Sequence, residues 1–306
     1  MRVFRGLPAA ADRPIALTIG NFDGIHRGHQ AMLSRLIEAA EDLALPAAVL
    51  TFHPHPREFF APAAAPPRLS TVRNKLQTFA AHGVARTYIA RFDARFAALS
   101  AETFATHVLG DRLGARWVLV GEDFHFGKGR AGSVALLRAS TRPFSVEVMR
   151  TVSVDGERAS STAVRTALAA GDLARASALL GRPFAIDGRV VHGQKRGRSL
   201  GIPTANVRVA GRPPLTGIFV ARVHGLGSAP RDGVASLGVR PTIEPGGEPL
   251  LEVFVLDFDE TIYGRRVSVE LLHKLRDEER FPDLDALTRR MHADVAQARE
   301  YFAVQH

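Results

Sequence analysis

The chain of 306 residues contains no cysteine. This absence excludes disulfide bonds, thiolate metal ligands and cysteine nucleophiles, and it fits a reducing compartment such as the cytoplasm. The chain also lacks an apolar run near the roughly 18 residues that span a bilayer, and no signal-peptide pattern opens it. We therefore expect a cytoplasmic protein that does not bind a membrane.

The charge of the chain is unbalanced but scattered. The formal net charge is +9, and hydrophobic residues make up 46% of the chain. A basic surface attracts nucleic acid, acidic lipid or small phosphates. The basic residues lack the one-faced cluster with interleaved aromatics that is typical of RNA-binding proteins. We expect no nucleic-acid partner and, from the length, two domains with separate cores.

One short segment, Gly20–His29, organises the first half of the chain. It follows an apolar run, Ile15–Ile19, that predicts a buried strand. It precedes apolar residues between Met32 and Leu43 that recur at helical spacing. The segment is therefore a predicted strand-to-helix turn. Such a turn directs free backbone N–H groups and the positive end of a helix dipole at a guest, which is usually phosphate.

Glycines and histidines dominate this turn. Gly20, Gly24 and Gly28 allow the backbone to come close to a guest. His26 and His29 lie one helical step apart at the mouth, where their ring N–H groups can hold phosphoryl oxygens as charge builds in a transition state. The alternative is that the two histidines only cap the helix.

The first half of the chain alternates predicted strands with predicted helices, which is typical of a parallel sheet covered on both faces. The predicted strands are Ile15–Ile19, Ala47–Phe52, Thr87–Ala90, Trp117–Val120 and Phe144–Met149. The predicted helices are Gln30–Leu43, Val72–Ala81, Ala101–Leu109 and Val134–Ala139. Ligands of such sheets bind beyond the carboxyl ends of the strands, so the glycine-rich turn lies on the expected rim.

Two further strand ends contribute to the same rim. His53-Pro54-His55-Pro56 follows the second predicted strand. Its prolines exclude helix, which suits either a wall for a flat ligand or a rigid surface turn. Gly121–Gly127 follows the fourth strand and contains two aromatic residues and two acids, one of them Asp123. This composition suits either a nucleotide-binding loop or a common glycine-aromatic turn.

A third strand end leads into the motif Ser160–Arg165. Ser161 or Thr162 is a predicted N-cap for the following helix. Arg165 lies in the first turn of that helix, where its guanidinium can clamp a triphosphate with two parallel hydrogen bonds. The alternative is that these residues serve only the helix.

The alternation stops where a predicted helix, Asp172–Leu180, ends at Gly181 and is followed by Pro183. We predict domains at residues 1–182 and 183–306. Short strands in the second domain favour a small closed antiparallel barrel, followed by a final helix from Pro282. The predicted strands are Asp187–His192, Ile218–Val223, Gly233–Leu237, Leu250–Asp257 and Arg266–Leu275. The apolar stripe of the final helix is Leu284, Leu287, Met291, Val295 and Ala298.

Two segments of the second half are candidates for binding phosphate and metal. His192–Arg198 is basic and glycine-rich, which suits either a phosphate cradle or a solvated loop. Pro203 keeps the following chain extended, so Thr204 and Asn206 share one face. A hydroxyl and an amide carbonyl at that spacing can hold a hard cation such as Mg²⁺ beside ATP phosphates.

Glu252 lies in the most apolar predicted strand, with Leu250, Phe254 and Leu256 on its face. A carboxylate among apolar neighbours is costly unless it has a partner or a task. Deprotonating a substrate hydroxyl for attack on phosphate is one such task. The alternatives are an edge strand that faces water and a structural ion pair with an arginine.

Taken in order, these motifs resemble those of the bacterial bifunctional riboflavin kinase/FAD synthetase family. Its adenylyltransferase half is matched by GNFDGIHRGH, TFHPHPREFF, VGEDFHFGKGRAG, SSTAVR and LLGRPF. Its flavokinase half is matched by GRVVHGQKRGRSLGIPTAN, GVASLGVRPT, LLEVFVLDFDETIYG and LRDEERF.

The resemblance implies an α/β plus all-β chain: a Rossmann-like nucleotidyltransferase domain, then a flavokinase barrel with a terminal helix. The implied partners are ATP, riboflavin and FMN, with Mg²⁺ as cofactor. MgATP phosphorylates riboflavin to FMN, and a second ATP adenylylates FMN to FAD with release of pyrophosphate. Self-association is left open.

The resemblance also implies roles for individual residues. His26 and His29 stabilise the α-phosphate in adenylyl transfer, while Glu252 takes the proton of the ribityl terminal hydroxyl. Thr204 and Asn206 hold Mg²⁺ and ATP. The residues implied to bind nucleotide or flavin are Gly20, Phe22, Asp23, Gly24, His55, Asp123, Ser161, Thr162, Arg165, Gly193, Lys195, Arg198, Gly201 and Pro203.

The chain departs from the family pattern at a few positions. Asp123 stands where many relatives carry asparagine, and Phe254 stands where histidine is common. Ala159 and Phe219 are smaller departures, and no proposed catalytic group is lost.

Three rival interpretations remain. Other adenylyltransferases, acting on pantetheine or nicotinate nucleotides, lack the second barrel. A fragment of an aminoacyl-tRNA synthetase needs a lysine-serine-lysine loop, which the chain does not have. An RNA-binding protein with a decayed nucleotide fold has no reason to retain both histidines, Thr204 and Glu252.

Overall fold

The computed structural model describes residues 1–140, 144–192, 202–239 and 249–304. Backbone contacts divide the chain into two compact units. The first unit is Met1–Pro66 with Val72–Ser160, and the second is Pro67–Thr71 with Ser161–His306. The predicted domain boundary at residue 182 stays a prediction.

The first unit contains a six-stranded sheet in which every pair of neighbours is parallel, as predicted. Its strands are β1 (Arg2–Arg5), β2 (Ile15–Ile19), β3 (Ala47–His53), β4 (Arg86–Arg91), β5 (Ala115–Gly121) and β6 (Ser145–Met149). Their order is β1-β4-β3-β2-β5-β6. A two-stranded ribbon follows, formed by β7 (Ser153–Val154) and β8 (Glu157–Arg158).

The helices of the first unit cover both faces of this sheet. They are α1 (Arg27–Asp42), α2 (Pro56–Phe60), α3 (Val72–Ala81), α4 (Ala94–Ala97), α5 (Ala101–Thr103), which continues as a π-helix (Phe104–Arg112), and α6 (Val134–Arg138). Short 3-10 turns lie at Pro62–Ala64 and Lys128–Arg130. Strand β2 is buried at every residue, which is typical of a parallel strand with a helical layer on each side.

Alternate residues of β2 pack into two different hydrophobic cores, one on each face of the sheet. Ile15 and Leu17 pack in the core that also contains Phe104 of the π-helix. Ala16 packs in the opposite core, with Leu36 of α1 and other residues of that helical layer. The central strand is therefore packed on both faces of the sheet.

Helix α2 contradicts the prediction that the prolines after β3 exclude helix. Pro56 opens the helix, where its missing N–H costs no hydrogen bond and its fixed φ is already helical. His55 is the N-cap: its Nδ1 accepts a hydrogen bond from the backbone N–H of Arg57 at 3.1 Å. The carboxylate of Glu58 accepts one from the backbone N–H of His55, also at 3.1 Å.

The second unit begins with two helices, α7 (Ser161–Ala169) and α8 (Leu173–Leu180). Because α7 begins at Ser161, both Ser161 and Thr162 lie inside its first turn, so the prediction that one of them is the N-cap was wrong. Asp172 caps α8 by accepting from the backbone N–H of Arg175 at 2.9 Å. Gly181 ends α8 in the left-handed conformation, with φ 73°, as the sequence predicts.

The rest of the second unit is a closed barrel whose neighbouring strands are all antiparallel, which confirms the predicted fold class. Its elements are β9 (Phe184–Val191), β10 (Ala205–Arg208), β11 (Gly217–His224), β12 (Arg231–Val239), β13 (Pro249–Val255), β14 (Arg266–Arg276) and the helix α9 (Leu284–Val304). The strand order is β10-β13-β12-β11-β14-β9.

The C-terminal half of α9 packs on the barrel. Ala298 and Phe302 are buried there with Ile218 and Val220 of β11. The predicted apolar stripe is right at Val295 and Ala298, but Leu284 at the start of the helix is 66% exposed. None of the helices in the described part of the chain has the length and apolar character of a membrane-spanning helix.

Two arginine–aspartate pairs join α9 to the barrel, and they differ chiefly in burial. Arg276 of β14 binds Asp294 of α9 at 2.7 Å, with side-chain exposures of 12% and 4%. Arg299 of α9 binds Asp257, just after β13, also at 2.7 Å, with exposures of 51% and 73%. Removing one member of a buried pair leaves an uncompensated charge in a poorly solvated place, whereas water replaces a lost partner at the surface.

We therefore expect Asp294→Ala to lower the free energy of unfolding by about 3–5 kcal/mol. Asp257→Ala is the matched control and should change it little. Circular dichroism in urea follows both units, while fluorescence of Trp117, the chain's one tryptophan, follows the first unit. An equal shift of the circular dichroism midpoint in the two variants would contradict the importance of burial here.

Candidate active sites

The strand order of the first unit reverses between β2 and β5. From β2 the chain adds β3 and β4 on one side, and then crosses to β5 and β6 on the other. Open sheets of this kind bind ligands in the crevice outside the carboxyl ends of the strands at that reversal. The segment Gly20–His29 follows β2 and the loop Gly121–Gly127 follows β5, so the fold places both predicted binding segments at this crevice.

The turn after β2 contains two buried residues in the left-handed conformation. Phe22 has φ 49° and Ile25 has φ 44°, and both are almost fully buried. The Phe22 ring meets the edge of Phe79 at 5.2 Å between centroids, and it meets His29 at 4.9 Å. Non-glycine residues keep such backbone angles only where surrounding packing determines them, and they occur preferentially at functional sites.

The two histidines lie against each other at the start of α1. Their ring centroids are 3.7 Å apart and the rings are stacked at 27°. His26 occupies the N-cap position, yet its side chain makes no capping hydrogen bond, and the first turn of α1 contains no acid. The alternative, that the histidine side chains only cap the helix, is therefore wrong. The end of α1 suits an anion, because its N–H groups and dipole are not already neutralised.

Electrostatics favour the neutral form of His29. Burial, followed by the neighbouring His26 and Lys75, lowers the pKa of His29 well below its usual range. Its Nδ1 is buried without a hydrogen-bond partner among the described residues. A neutral imidazole still has one ring N–H to donate, and an anion that arrives beside it stabilises the protonated form.

The glycines of this segment make room for side chains of the turn itself. A Cβ at Gly28 would lie 3.2 Å from two atoms of the His26 ring and 3.3 Å from the carbonyl oxygen of Ala159. A Cβ at Gly20 would lie 3.1 Å from the Phe22 ring. Gly24 has φ 81°, which a larger residue rarely adopts.

Sequence reasoning missed Lys75. This residue of α3 is only 8% exposed, and its Nζ donates to the backbone carbonyl of Asn21 at 2.7 Å. The hydroxyl of Thr51 reaches the same carbonyl at 3.4 Å. The available signal was a lysine four residues before Phe79, hence on the apolar face of a predicted helix.

The other predicted rim residues of the first unit have structural partners. His55 caps α2, and Asp23 is buried in the turn. Asp123 forms an ion pair with Arg158 of β8, which offsets its negative charge near a site predicted to bind phosphate. Phe124 and Phe126 of the same loop are stacked with centroids 5.4 Å apart.

The residues of the SSTAVR motif lie on α7, in the second unit. Arg165 donates from Nε to the carbonyl of Pro67 at 2.7 Å and from Nη1 to the carbonyl of Ser161 at 3.3 Å. The Arg165 guanidinium therefore donates hydrogen bonds to backbone carbonyls of the protein.

Glu252 lies on β13 between two paired strands. It is directly opposite Asn206 of β10 on one side and Ser236 of β12 on the other. The predicted alternative of an edge strand is excluded, because β13 is paired on both sides. Its neighbours Leu251 and Val253 are buried, whereas Glu252 is half-buried, so its side chain lies on the opposite face of the strand from these core residues.

Asn206 has the features of a ligand-binding amide. It is 5% exposed, and its Oδ1 is buried without a hydrogen-bond partner among the described residues. Buried polar atoms are rarely left so. Thr204, two residues earlier, is half-buried, and Pro203 before it is exposed. The other predicted residues of this half, Gly193, Lys195, Arg198 and Gly201, lie outside the described residues.

In the described ranges, no group of three or more histidines, cysteines, aspartates or glutamates could hold a metal ion by itself. A cation at Asn206 would therefore have to bring further ligands with it. Mg²⁺ commonly binds in this way, through a few protein oxygens together with substrate phosphates and water.

Comparison with known proteins identifies both halves. The family model for FAD synthetase matches residues 9–163, and the model for riboflavin kinase matches residues 180–302. The chain is 48% identical to the bifunctional riboflavin kinase/FMN adenylyltransferase of Pseudomonas fluorescens, over 98% of this chain and 97% of that protein. It is 44% identical to the protein of the same description from Escherichia coli K12, over 99% of each.

A solved structure described as a macrolide-efflux protein from Streptococcus pneumoniae is similar throughout, with a TM-score of 0.82 and 29% identity over 98% of this chain and 99% of that chain. The two family models and the two full-length relatives agree with the parallel sheet and the closed barrel. The chain therefore belongs to the family of bifunctional riboflavin kinase/FMN adenylyltransferases, and it converts riboflavin to FMN and FMN to FAD with ATP.

Proposed function

We propose that the two reactions occur at two different sites, AMP transfer at the segment Gly20–His29 and riboflavin phosphorylation at Glu252. The observation that carries the first assignment is the stacked pair of imidazoles beside a helix N-terminus that has no side-chain cap. We place both reactions in the cytoplasm, where reducing conditions suit a chain without cysteine.

In AMP transfer, a phosphate oxygen of FMN attacks the α-phosphorus of ATP. A new P–O bond forms, the bond between the α-phosphorus and the bridging oxygen breaks, and pyrophosphate leaves with the electron pair. His26 and His29 donate hydrogen bonds to the α-phosphate as its charge redistributes. Because the histidine pair is held by packing, little reorganisation is needed at the moment of reaction.

We assign further residues to the binding of the two substrates. Gly20, Phe22, Asp23 and Gly24 line the nucleotide site in this proposal, with Asp123 in the loop after β5. His55 flanks the flavin. We assign the binding of phosphate oxygens to Ser161, Thr162 and Arg165.

In the kinase reaction, Glu252 accepts the proton of the terminal ribityl hydroxyl of riboflavin. The oxygen attacks the γ-phosphorus of ATP, the bond between that phosphorus and the bridging oxygen breaks, and ADP leaves. Asn206, directly opposite Glu252, and Thr204 would hold Mg²⁺ with ATP. When bound, Mg²⁺ supplies neutralisation of the phosphate charge, which carries much of the work in phosphoryl transfer.

The buried Oδ1 of Asn206 supports this assignment, since it has no hydrogen-bond partner among the described residues. Gly193, Lys195, Arg198, Gly201 and Pro203 complete the proposed phosphate cradle of the kinase site.

If the two sites are separate, a substitution at one site should reduce one activity and leave the other intact. Glu252→Gln should slow FMN formation from riboflavin by about 10²–10⁴-fold, because it removes the base, while FMN-to-FAD conversion stays intact. His29→Ala should slow FAD formation by about 10²–10³-fold and leave FMN formation intact. Chromatographic separation of flavins after incubation with MgATP and either riboflavin or FMN measures both. Loss of both activities from one substitution in a folded protein would refute the two-site assignment.

Gly28→Ala tests whether the His26 ring must keep its place. Alanine favours helix over glycine by about 1 kcal/mol, which offsets the crowding of the new Cβ against the Ala159 carbonyl oxygen. The same Cβ displaces the His26 ring, so FAD formation should slow. Ser34→Ala, on the exposed side of α1, is the control that raises helix propensity without touching the ring. Equal FAD formation in both variants would contradict the proposed role of His26.

Asn206→Ala tests the proposed metal ligand. We expect the Mg²⁺ concentration for half-maximal riboflavin phosphorylation to rise roughly tenfold, or about 1.4 kcal/mol, with FAD formation unaffected. Initial rates of FMN formation against Mg²⁺ at fixed ATP give this value. An unchanged Mg²⁺ dependence would remove Asn206 from the metal site.

A further inference from the structure

Lys75 is a buried cation that none of the roles above explains. It lies on α3 with 8% of its surface exposed, and buried lysines are rare in folded proteins. We propose that Lys75 is a positioning residue for AMP transfer: its ammonium holds the carbonyl of Asn21, and through that carbonyl it fixes the turn that carries His26 and His29. This inference rests on the proposed function of the two histidines.

Lys75 holds one peptide bond of the turn in place. The carbonyl of Asn21 belongs to the peptide that leads into Phe22, whose φ of 49° is left-handed. Nζ of Lys75, from α3, donates to this oxygen at 2.7 Å, and the hydroxyl of Thr51, from β3, lies 3.4 Å away. Donors from two different elements thus determine the orientation of one peptide, and rotation of that peptide would break the contact with Lys75.

A series of ring contacts runs from the same helix to the histidine pair. Phe79 lies one turn after Lys75 on the same face of α3. Its ring meets Phe22 at 5.2 Å, Phe22 meets His29 at 4.9 Å, and His29 stacks on His26 at 3.7 Å. Helix α3 therefore supports the histidine pair through two contacts. The Lys75 ammonium donates to the carbonyl of Asn21, and the Phe79 ring packs against the Phe22 ring.

Lys75 also acts electrostatically on His29. The groups that act on His29 are its buried surroundings, then His26, then Lys75, and all three lower its pKa. The ammonium therefore disfavours a proton on His29 in the empty site. A phosphate that enters meets a fixed positive charge and a neutral His29 ring that can donate a hydrogen bond, and the charge of the phosphate then favours protonation of that ring.

The test compares three variants with the full-length enzyme. Lys75→Met removes the charge and the donor but keeps an apolar stem of similar length. Lys75→Arg keeps the charge and a donor. Arg73→Met, on the exposed face of the same helix, is the matched control for loss of one positive charge. For each variant we measure kcat and KM for FMN-to-FAD conversion and the rate of FMN formation. NMR gives the titration of the His29 ring.

For Lys75→Met we expect kcat of FAD formation to fall by about 10²-fold, because the histidines lose their position, with a smaller change of KM and normal FMN formation. The pKa of His29 should rise, because a nearby positive charge has been removed. Lys75→Arg should recover most of both properties, and Arg73→Met should behave as the unmodified enzyme.

In a folded Lys75→Met enzyme, an unchanged kcat for FAD formation would overturn the proposal, and an unchanged His29 titration would do so as well. So would a rise of the His29 pKa of the same size in Arg73→Met. If Lys75→Met does not fold, Lys75→Gln, which keeps an N–H donor without the charge, takes its place with the same expected rise of the pKa. An unchanged His29 titration in that variant is again fatal.

His29→Ala, measured alongside, distinguishes failure of the proposed function from failure of the inference about Lys75. If His29→Ala retains FAD formation, the proposed function of the histidines fails. If His29→Ala loses it while Lys75→Met does not, only the inference about Lys75 fails.

Discussion

The left-handed turn at Phe22 is the constraint on which the first site depends. A non-glycine residue in that conformation costs roughly 1–2 kcal/mol, whereas full burial of a phenylalanine side chain contributes about 1.5–3 kcal/mol. Phe22 is fully buried, so packing outweighs the strain and the turn persists. The His29 ring lies against the same phenylalanine, so the proposed site of AMP transfer is organised before any substrate arrives.

Closure of the barrel is the corresponding constraint in the second unit. Strand β13 is paired on both sides, so Glu252 cannot leave its place between Asn206 and Ser236 without breaking a ladder. A single-residue slip of register would exchange the faces of the whole strand and would bury Glu252 in the core. The hydrophobic alternation that keeps Leu251 and Val253 inside therefore also keeps the carboxylate outside it.

The two units handle buried charge differently. In the second unit, Arg276 is paired with Asp294 where both are nearly inaccessible, so the two charges neutralise each other and serve the fold. In the first unit, Lys75 lies near His26 and His29, and the pKa of His29 is lowered first by burial and then by the neighbouring His26 and Lys75. An arrangement of that kind is unfavourable until an anion enters, which is why perturbed titrating groups are typical of functional sites.

The local sequence pattern determined much of this protein, including β2, α3, the end of α8 and the segment with both histidines, because apolar period and glycine placement act over a few residues. It missed β1, whose ends are arginines at the edge of the sheet, and α2, where prolines obscured a helix start. Only the tertiary structure brought Lys75 to the carbonyl of Asn21, 54 residues away, and set Glu252 opposite Asn206. Such contacts depend on how distant elements pack, and no periodicity within one element encodes that.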